Sequence, residues 1–200
     1  PLPGLAPTAP QVGVSPDGRQ VAFVAIGRSN IRQLWIRMID AGVPRPIERT
    51  DGADSWPFWS PDGRVVVFAA NGFLMKLDVT AGTVERFIRL PEAAPPVPFV
   101  TGSWSSDGNI LFSIGGPAGL YRVPASGGSP VAITTLNGPR GDHYHSWPQL
   151  LDGGRFLFFI RTNDPTTNGV YMSTLAAPEG TLVVSSAQWT RSSRSRGRQV

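Results

Sequence analysis

The sequence predicts an all-β chain of four consecutive four-stranded units, and three observations carry that reading. An Asp-Gly turn recurs at a fixed spacing, with its aspartates at Asp17, Asp62, Asp107 and Asp152, three successive intervals of 45 residues. Each turn is followed by a short run rich in β-branched and aromatic residues, the pattern of a strand leaving a hairpin. Among the 200 residues, 23 Gly and 20 Pro make more than a fifth of the chain, while charged residues are only 16%. Such turn-rich, weakly charged composition excludes a helical bundle, and no apolar run approaches the roughly 18 residues of a membrane-crossing helix.

The turns explain their own sequence. In Ser15-Pro16-Asp17-Gly18 and Ser60-Pro61-Asp62-Gly63, proline presets φ, aspartate accepts from amides ahead of it, and glycine supplies the positive φ. The third turn keeps Ser105 with Asp107-Gly108 and the fourth keeps Asp152-Gly153, with Ser106 and Leu151 in place of proline. Inner strands are expected at 11–14, 56–60, 102–104 and 147–150, and second strands at 21–25, 65–70, 110–114 and 156–160. Third strands follow in Leu34-Trp35-Ile36, Leu74-Met75-Lys76-Leu77, Leu120-Tyr121-Arg122-Val123 and Val170-Tyr171-Met172. A fourth follows turns such as Ala81-Gly82 and Ser126-Gly127-Gly128. Four strands repeated every 40–45 residues are the signature of a β-propeller blade. The blades fall at about 11–48, 56–89, 99–135 and 146–186, with an N-terminal extension over 1–10 and a tail over 187–200.

The stretch Trp59-Ser60-Pro61-Asp62-Gly63-Arg64-Val65-Val66-Val67-Phe68 resembles the WD-repeat-like propeller repeat of TolB-like proteins, in which Ser-Pro-Asp-Gly recurs. The longer pattern is similar to the propellers that follow the kinase domain in some bacterial serine/threonine protein kinases. It includes Gln33-Leu34-Trp35-Ile36-Arg37, Gly119-Leu120-Tyr121-Arg122-Val123-Pro124 and His145-Ser146-Trp147-Pro148-Gln149-Leu150. The likeness covers about residues 10–175. It implies part of a larger ring, since such propellers have six or more blades, and a positional role for His145. It also implies a periplasmic or otherwise extracytoplasmic scaffold or sensor; the Cys-free composition fits either side of the membrane. The propeller that gates a prolyl-oligopeptidase-type serine peptidase carries similar repeats and is the alternative.

No catalytic constellation is legible. There is no Gly-x-Ser-x-Gly elbow, phosphate loop, dinucleotide fingerprint or His-Glu-x-x-His pair. Alternation would place His143 and His145 on one side of a strand, as a metal dyad requires, but no spacing announces a third ligand. They read as part of a polar loop entering the fourth blade, and Arg140-Gly141-Asp142 as a loop tripeptide. The four repeated aspartates sit on different blades, too far apart to share an ion, and read as turn formers. No cofactor or metal is expected. Binding is assigned to the long connections at 91–101, 137–146 and 161–169, with Arg140, Asp142, His143, His145, Asn163, Asp164 and Asn168 as candidate contacts for a protein partner.

Eighteen basic residues oppose fourteen acidic ones. Arg191, Arg194, Arg196 and Arg198 fall in an acid-free tail, so the body is neutral and lacks the basic face of a nucleic-acid binder. The lone lysine, Lys76, reads as compositional bias. From Gln188 onward the pattern is lost, and the tail is expected to be disordered. No membrane insertion is expected. An incomplete ring leaves apolar end faces, so the chain is expected to self-associate.

Overall fold

The computed structural model describes residues 4–5, 11–27, 30–40, 42–92 and 100–187. They form four antiparallel sheets arranged in succession. The first contains β1 (Gly4–Leu5), β2 (Val12–Val14), β3 (Gln20–Ile26), β4 (Arg32–Met38) and β5 (Arg45–Pro46). The second contains β6 (Phe58–Trp59), β7 (Val65–Ala70), β8 (Phe73–Asp78) and β9 (Thr83–Arg89). The third runs β10 (Thr101–Trp104), β11 (Asn109–Ser113), β12 (Tyr121–Pro124) and β13 (Val131–Ala132). The fourth runs β14 (Tyr144–Leu150), β15 (Arg155–Arg161), β16 (Gly169–Thr174) and β17 (Ala177–Ser185). This is the predicted arc of propeller blades.

Three differences from the sequence reading matter. Gly4 and Leu5 pair with Ile26 and Ala25, so part of the expected extension belongs to the first sheet. The inner strand of the fourth sheet starts at Tyr144, which takes His145 out of the loop and into the strand. Ser186 and Ala187 still donate backbone bonds to Asn168 and Pro165, so the fold reaches one residue into the expected tail. The rest of that tail, 188–200, lies outside the described residues, as do 1–3 and 6–10 of the extension and 93–99 of the first long connection.

Alternation along the strands gives every sheet two apolar faces, and each junction buries one face from each neighbour. Ala22, Val24, Leu34 and Ile36 of the first sheet meet Trp59, Val66 and Phe68 of the second. Val67, Ala69 and Leu74 meet Ile110, Phe112 and Val123 across the next junction. Leu111 and Leu120 meet Phe156, Phe158 and Ile160 across the third. The inner strands approach closely because glycine stands at the crossing points. A Cβ on Gly13 would lie 2.1 Å from the Pro57 carbonyl oxygen, and one on Gly102 would lie 2.3 Å from the Phe58 ring.

Side chains tie the blades where ladder bonds cannot. The Trp59 indole N–H donates to the Gly13 carbonyl at 3.0 Å, and the Trp147 and Leu150 amides donate to Thr101 and Ser103 hydroxyls. Lys76 is another tie. Its ammonium donates to the Ala125 carbonyl at 2.5 Å and lies 3.7 Å over the Phe87 ring, joining the second sheet to the third. Reading this residue as compositional bias overlooked that role, because the acceptor is 49 residues away and belongs to a turn.

Candidate functional site

The four Asp-Gly turns connect first to second strands and therefore lie at one end of the molecule. The connections 137–143 and 162–168 leave the opposite end of the fourth sheet, where Tyr144 pairs with Arg161 and Ile160 with Gly169. Asn137-Gly138-Pro139-Arg140-Gly141 is a string of turn formers, and Gly141 takes φ 78°. Asn137 Oδ1 accepts the Arg140 amide, and the Asp142 amide reaches the Asn137 carbonyl. This local folding turns the Asp142 carboxylate inward, where its side chain has no exposed surface.

There it accepts from four donors. Arg140 donates through Nε and Nη2 at 2.7 Å each, the Asn137 amide donates at 2.9 Å, and His145 Nε2 donates at 3.0 Å. Burial pushes the Asp142 carboxyl up, but these donors outweigh it and hold it at about 2. The Arg140 guanidinium, which lies 4.9 Å over the Tyr171 ring, is raised by its bonds to the same carboxylate. Burial depresses His145 below its ordinary value despite the opposing pull of Asp142. With Nε2–H given to Asp142, Nδ1 accepts from the Thr134 hydroxyl at 2.8 Å.

A hydroxyl, an imidazole and a carboxylate in that order have the connectivity of a hydrolytic triad. Burial and the other bonds of Thr134 assign them differently. Thr134 is buried, and its oxygen accepts the Leu120 amide at 2.7 Å. Thr50 does the same for Leu34 in the first sheet, with no histidine present. The threonine is thus a repeat feature that closes the outer strand, and His145 extends it into a strut between the third and fourth sheets. The His145 ring also stands edge-on to Phe158 at 5.3 Å.

The candidate residues divide accordingly. Arg140, Asp142 and His145 come together in the strut, although sequence alternation paired His145 with His143 instead. His143 precedes the strand and is exposed whereas His145 is buried, so the two imidazoles do not share an environment. Asn168 is buried and accepts the Thr162 amide through Oδ1, while Asp164 caps its own turn through Thr166. Asn163 and Asp164 are exposed. Among the described residues, no three His, Asp or Glu side chains are grouped closely enough to hold a metal ion.

A cleft of about 530 Å³ lies over the strut, lined by Asn137, Arg140 and His145 on one side and Pro178, Glu179 and Gly180 on the other. Gly180, at φ 75°, lets β17 close over Phe158, whose ring a Cβ would meet at 3.1 Å. Sequence reasoning missed Thr134, Tyr171 and Glu179, which are isolated residues on regular strands or their exits and carry no motif. It also missed Arg32, Asp54 and Gln11, which bridge the corresponding end of the first two sheets.

No protein-family model matches the chain. It is 28% identical over 146 residues to the uncharacterized peptidase YuxL of Bacillus subtilis, covering 72% of this chain and a fifth of that protein. Its fold is similar to that of TolB from Acinetobacter baumannii, with TM-score 0.67 and 18% identity over 88% of this chain and 43% of TolB. It is also similar in fold to puromycin hydrolase, with TM-score 0.57 and 18% identity over 86% of this chain and 28% of that enzyme. These neighbours establish a TolB-like β-propeller fold, and the chain spans less than half of each of the three.

Proposed function

We propose that the chain is a non-catalytic protein-interaction module of a larger protein, contacting its partner with the loop end of the third and fourth sheets. One observation carries this reading. The triad-like Thr134–His145–Asp142 chain is consumed in holding two blades together, while His143, Asn163 and Asp164 stay exposed in the loops and Glu179 is exposed at the cleft. A rigid scaffold presenting polar loop residues suits recognition. Changing His143 and Asn163 together to alanine alters exposed side chains and leaves the Asp164 turn cap in place. The expected outcome is at least a tenfold loss of binding to a captured, saturable partner with no change in thermal stability. Turnover of peptide anilides by the chain alone overturns the reading.

A second reading, the gating propeller of a prolyl-oligopeptidase-type serine peptidase, is favoured by the likeness to YuxL and to puromycin hydrolase. A hydrolase domain with a Gly-x-Ser-x-Gly elbow in the same polypeptide would carry it. An extracytoplasmic place, or attachment to a kinase, rests on the sequence resemblance alone, and a compartment-sensitive reporter fusion tests the former. Among the described residues, no helix is long and apolar enough to cross a membrane.

A further inference from the structure

The cleft over the strut lies between two adjacent sheets of this chain, and its walls carry opposite charges. One wall is the segment 135–140. The Asp142 side chain has no exposed surface, so this wall presents only the cationic half of the pair, the Arg140 guanidinium, 20% exposed. Nε and Nη2 are spent on Asp142, and a guanidinium has further N–H groups to give. The bonds to Asp142 and the Tyr171 ring 4.9 Å away hold its plane in place. Asn137 uses Oδ1 to accept the Arg140 amide, which leaves its side-chain NH2 to donate, and Thr135 adds an exposed hydroxyl. Donors gathered on one short segment around a fixed arginine suit a carboxylate.

The facing wall is a bulge in β17. Met172 pairs with Thr181 and Thr174 with Ala177, so Pro178, Glu179 and Gly180 stand opposite Ser173 alone. Two bonds close the base of this bulge. Ser173 Oγ donates to the Ala177 carbonyl at 2.6 Å, and the Ala177 amide donates to Thr174 Oγ1 at 3.0 Å. A bulge re-aims the side chains it carries, and this one brings the exposed Glu179 to the cleft. Among the described residues Glu179 makes no ion pair. Ile133, Leu136 and Pro178 add apolar surface to the lining.

We infer that the cleft binds a small zwitterion of dipeptide length. Its carboxylate meets Arg140, Asn137 and Thr135, its ammonium meets Glu179, and its apolar side chain rests on Ile133 and Leu136. Charge selects for both ends at once. A lone anion would face Glu179 and a lone cation would face Arg140, so a ligand bearing both charges suits both walls. Size agrees with the charge. A volume of about 530 Å³ is about 8 Å across, and an extended dipeptide spans about 7 Å. His143 and Asn163 do not line this cleft, so the site goes beyond the proposed partner surface.

The test titrates alanyl-leucine at pH 7 into the isotope-labelled 200-residue chain and follows backbone amide shifts by NMR. Saturable shifts are expected at Thr135, Asn137 and Gly180, with a Kd of about 1 mM or lower. N-acetyl-alanyl-leucine lacks the ammonium and alanyl-leucine amide lacks the carboxylate. Each should bind about fivefold more weakly, the upper end for a partly exposed ion pair. Glu179→Gln should weaken alanyl-leucine by the same factor and leave the acetylated dipeptide unchanged, which is the coupling a double-mutant cycle reads. Thr135→Glu sets a carboxylate on the donor wall and should weaken both acids while sparing the amide. Both substitutions replace exposed side chains. Where circular dichroism shows either variant unfolded, the capped dipeptides on wild type decide alone. No saturable shift at about 10 mM, tenfold above that Kd, overturns the inference. Equal affinity for the three dipeptides, or shifts confined to residues outside the cleft, also overturns it. Dipeptide binding is read without a partner, so its failure leaves the partner surface standing, and lost partner binding leaves the cleft standing.

Discussion

Protonating His145 requires its Nδ1 to stop accepting from Thr134 while the ring stays buried between two sheets. Burial keeps its folded value below the ordinary 6.5, so the neutral ring contributes stability that is fully present above about pH 6.5 and falls as pH drops below it. Asp142 adds a second step in the same direction. Its value falls from 3.8 to about 2 on folding, so its contribution is lost between about pH 3.8 and 2. Calorimetry from pH 8 to 5 should show the wild-type melting temperature dropping across the first window. His145→Asn should melt lower at pH 8 and show a flatter profile below 6.5; an unchanged slope sinks the assignment. The sequence exposed His145 through its Trp-Pro context but could not reveal its partners, because Thr134 lies on another blade and Asp142 is turned inward only by the 137–141 turn. Tyr171 and Thr134 were illegible for the same reason: an isolated polar residue near a strand looks alike whether it is buried or exposed.

Turns and strand lengths show what a repeat reveals at the next scale and where it fails. Asp62 accepts both the Ser60 hydroxyl and the Arg64 amide, while Ser60 accepts the Val65 amide, and Asp17 and Asp107 repeat the first two bonds. Asp152 instead starts a single 3-10 turn (Asp152–Gly154), with Gly153 and Gly154 both at positive φ. The common Asp-Gly therefore hides two turn chemistries, and Leu151, which has no hydroxyl to complete the motif, marks the difference. Asp62→Ala should cost about 1 kcal/mol in denaturant unfolding, the usual net worth of exposed turn bonds. Asp152→Ala should stay within about 0.5 kcal/mol, as at an uncommitted surface site. Equal losses would mean that the turns are energetically alike. Periodicity found every second and third strand and the outer strands after Ala81-Gly82 and Ser126-Gly127-Gly128, but not the lengths of the outer ones. β5 and β13 are two residues each, against seven in β9 and nine in β17. Pro46 within β5 and Pro130 just ahead of β13 contribute to this, since proline cannot donate to a ladder. Two clefts follow, one of about 350 Å³ beside β5 and the larger one near the segment after β13.

An arc of blades is stabilised junction by junction, so a residue's worth depends on which neighbours its blade has. Phe68, Phe112 and Phe158 occupy one repeat position and are each enclosed, which makes truncation to alanine a cavity in a junction costing about 3–5 kcal/mol. Phe23 holds the same position on the first sheet, where it is only partly buried. Part of the transfer term is already forfeited there and no closed cavity forms, so Phe23→Ala should cost only about 1–2 kcal/mol in dilute chain. Sequence alone treats the four phenylalanines as equivalent, because periodicity records the pattern within a blade and says nothing of what stands beyond the first. Thermal unfolding of the four variants in dilute solution reads the difference. A Phe23→Ala cost equal to that of Phe68→Ala would mean that the first sheet is already covered within a single chain.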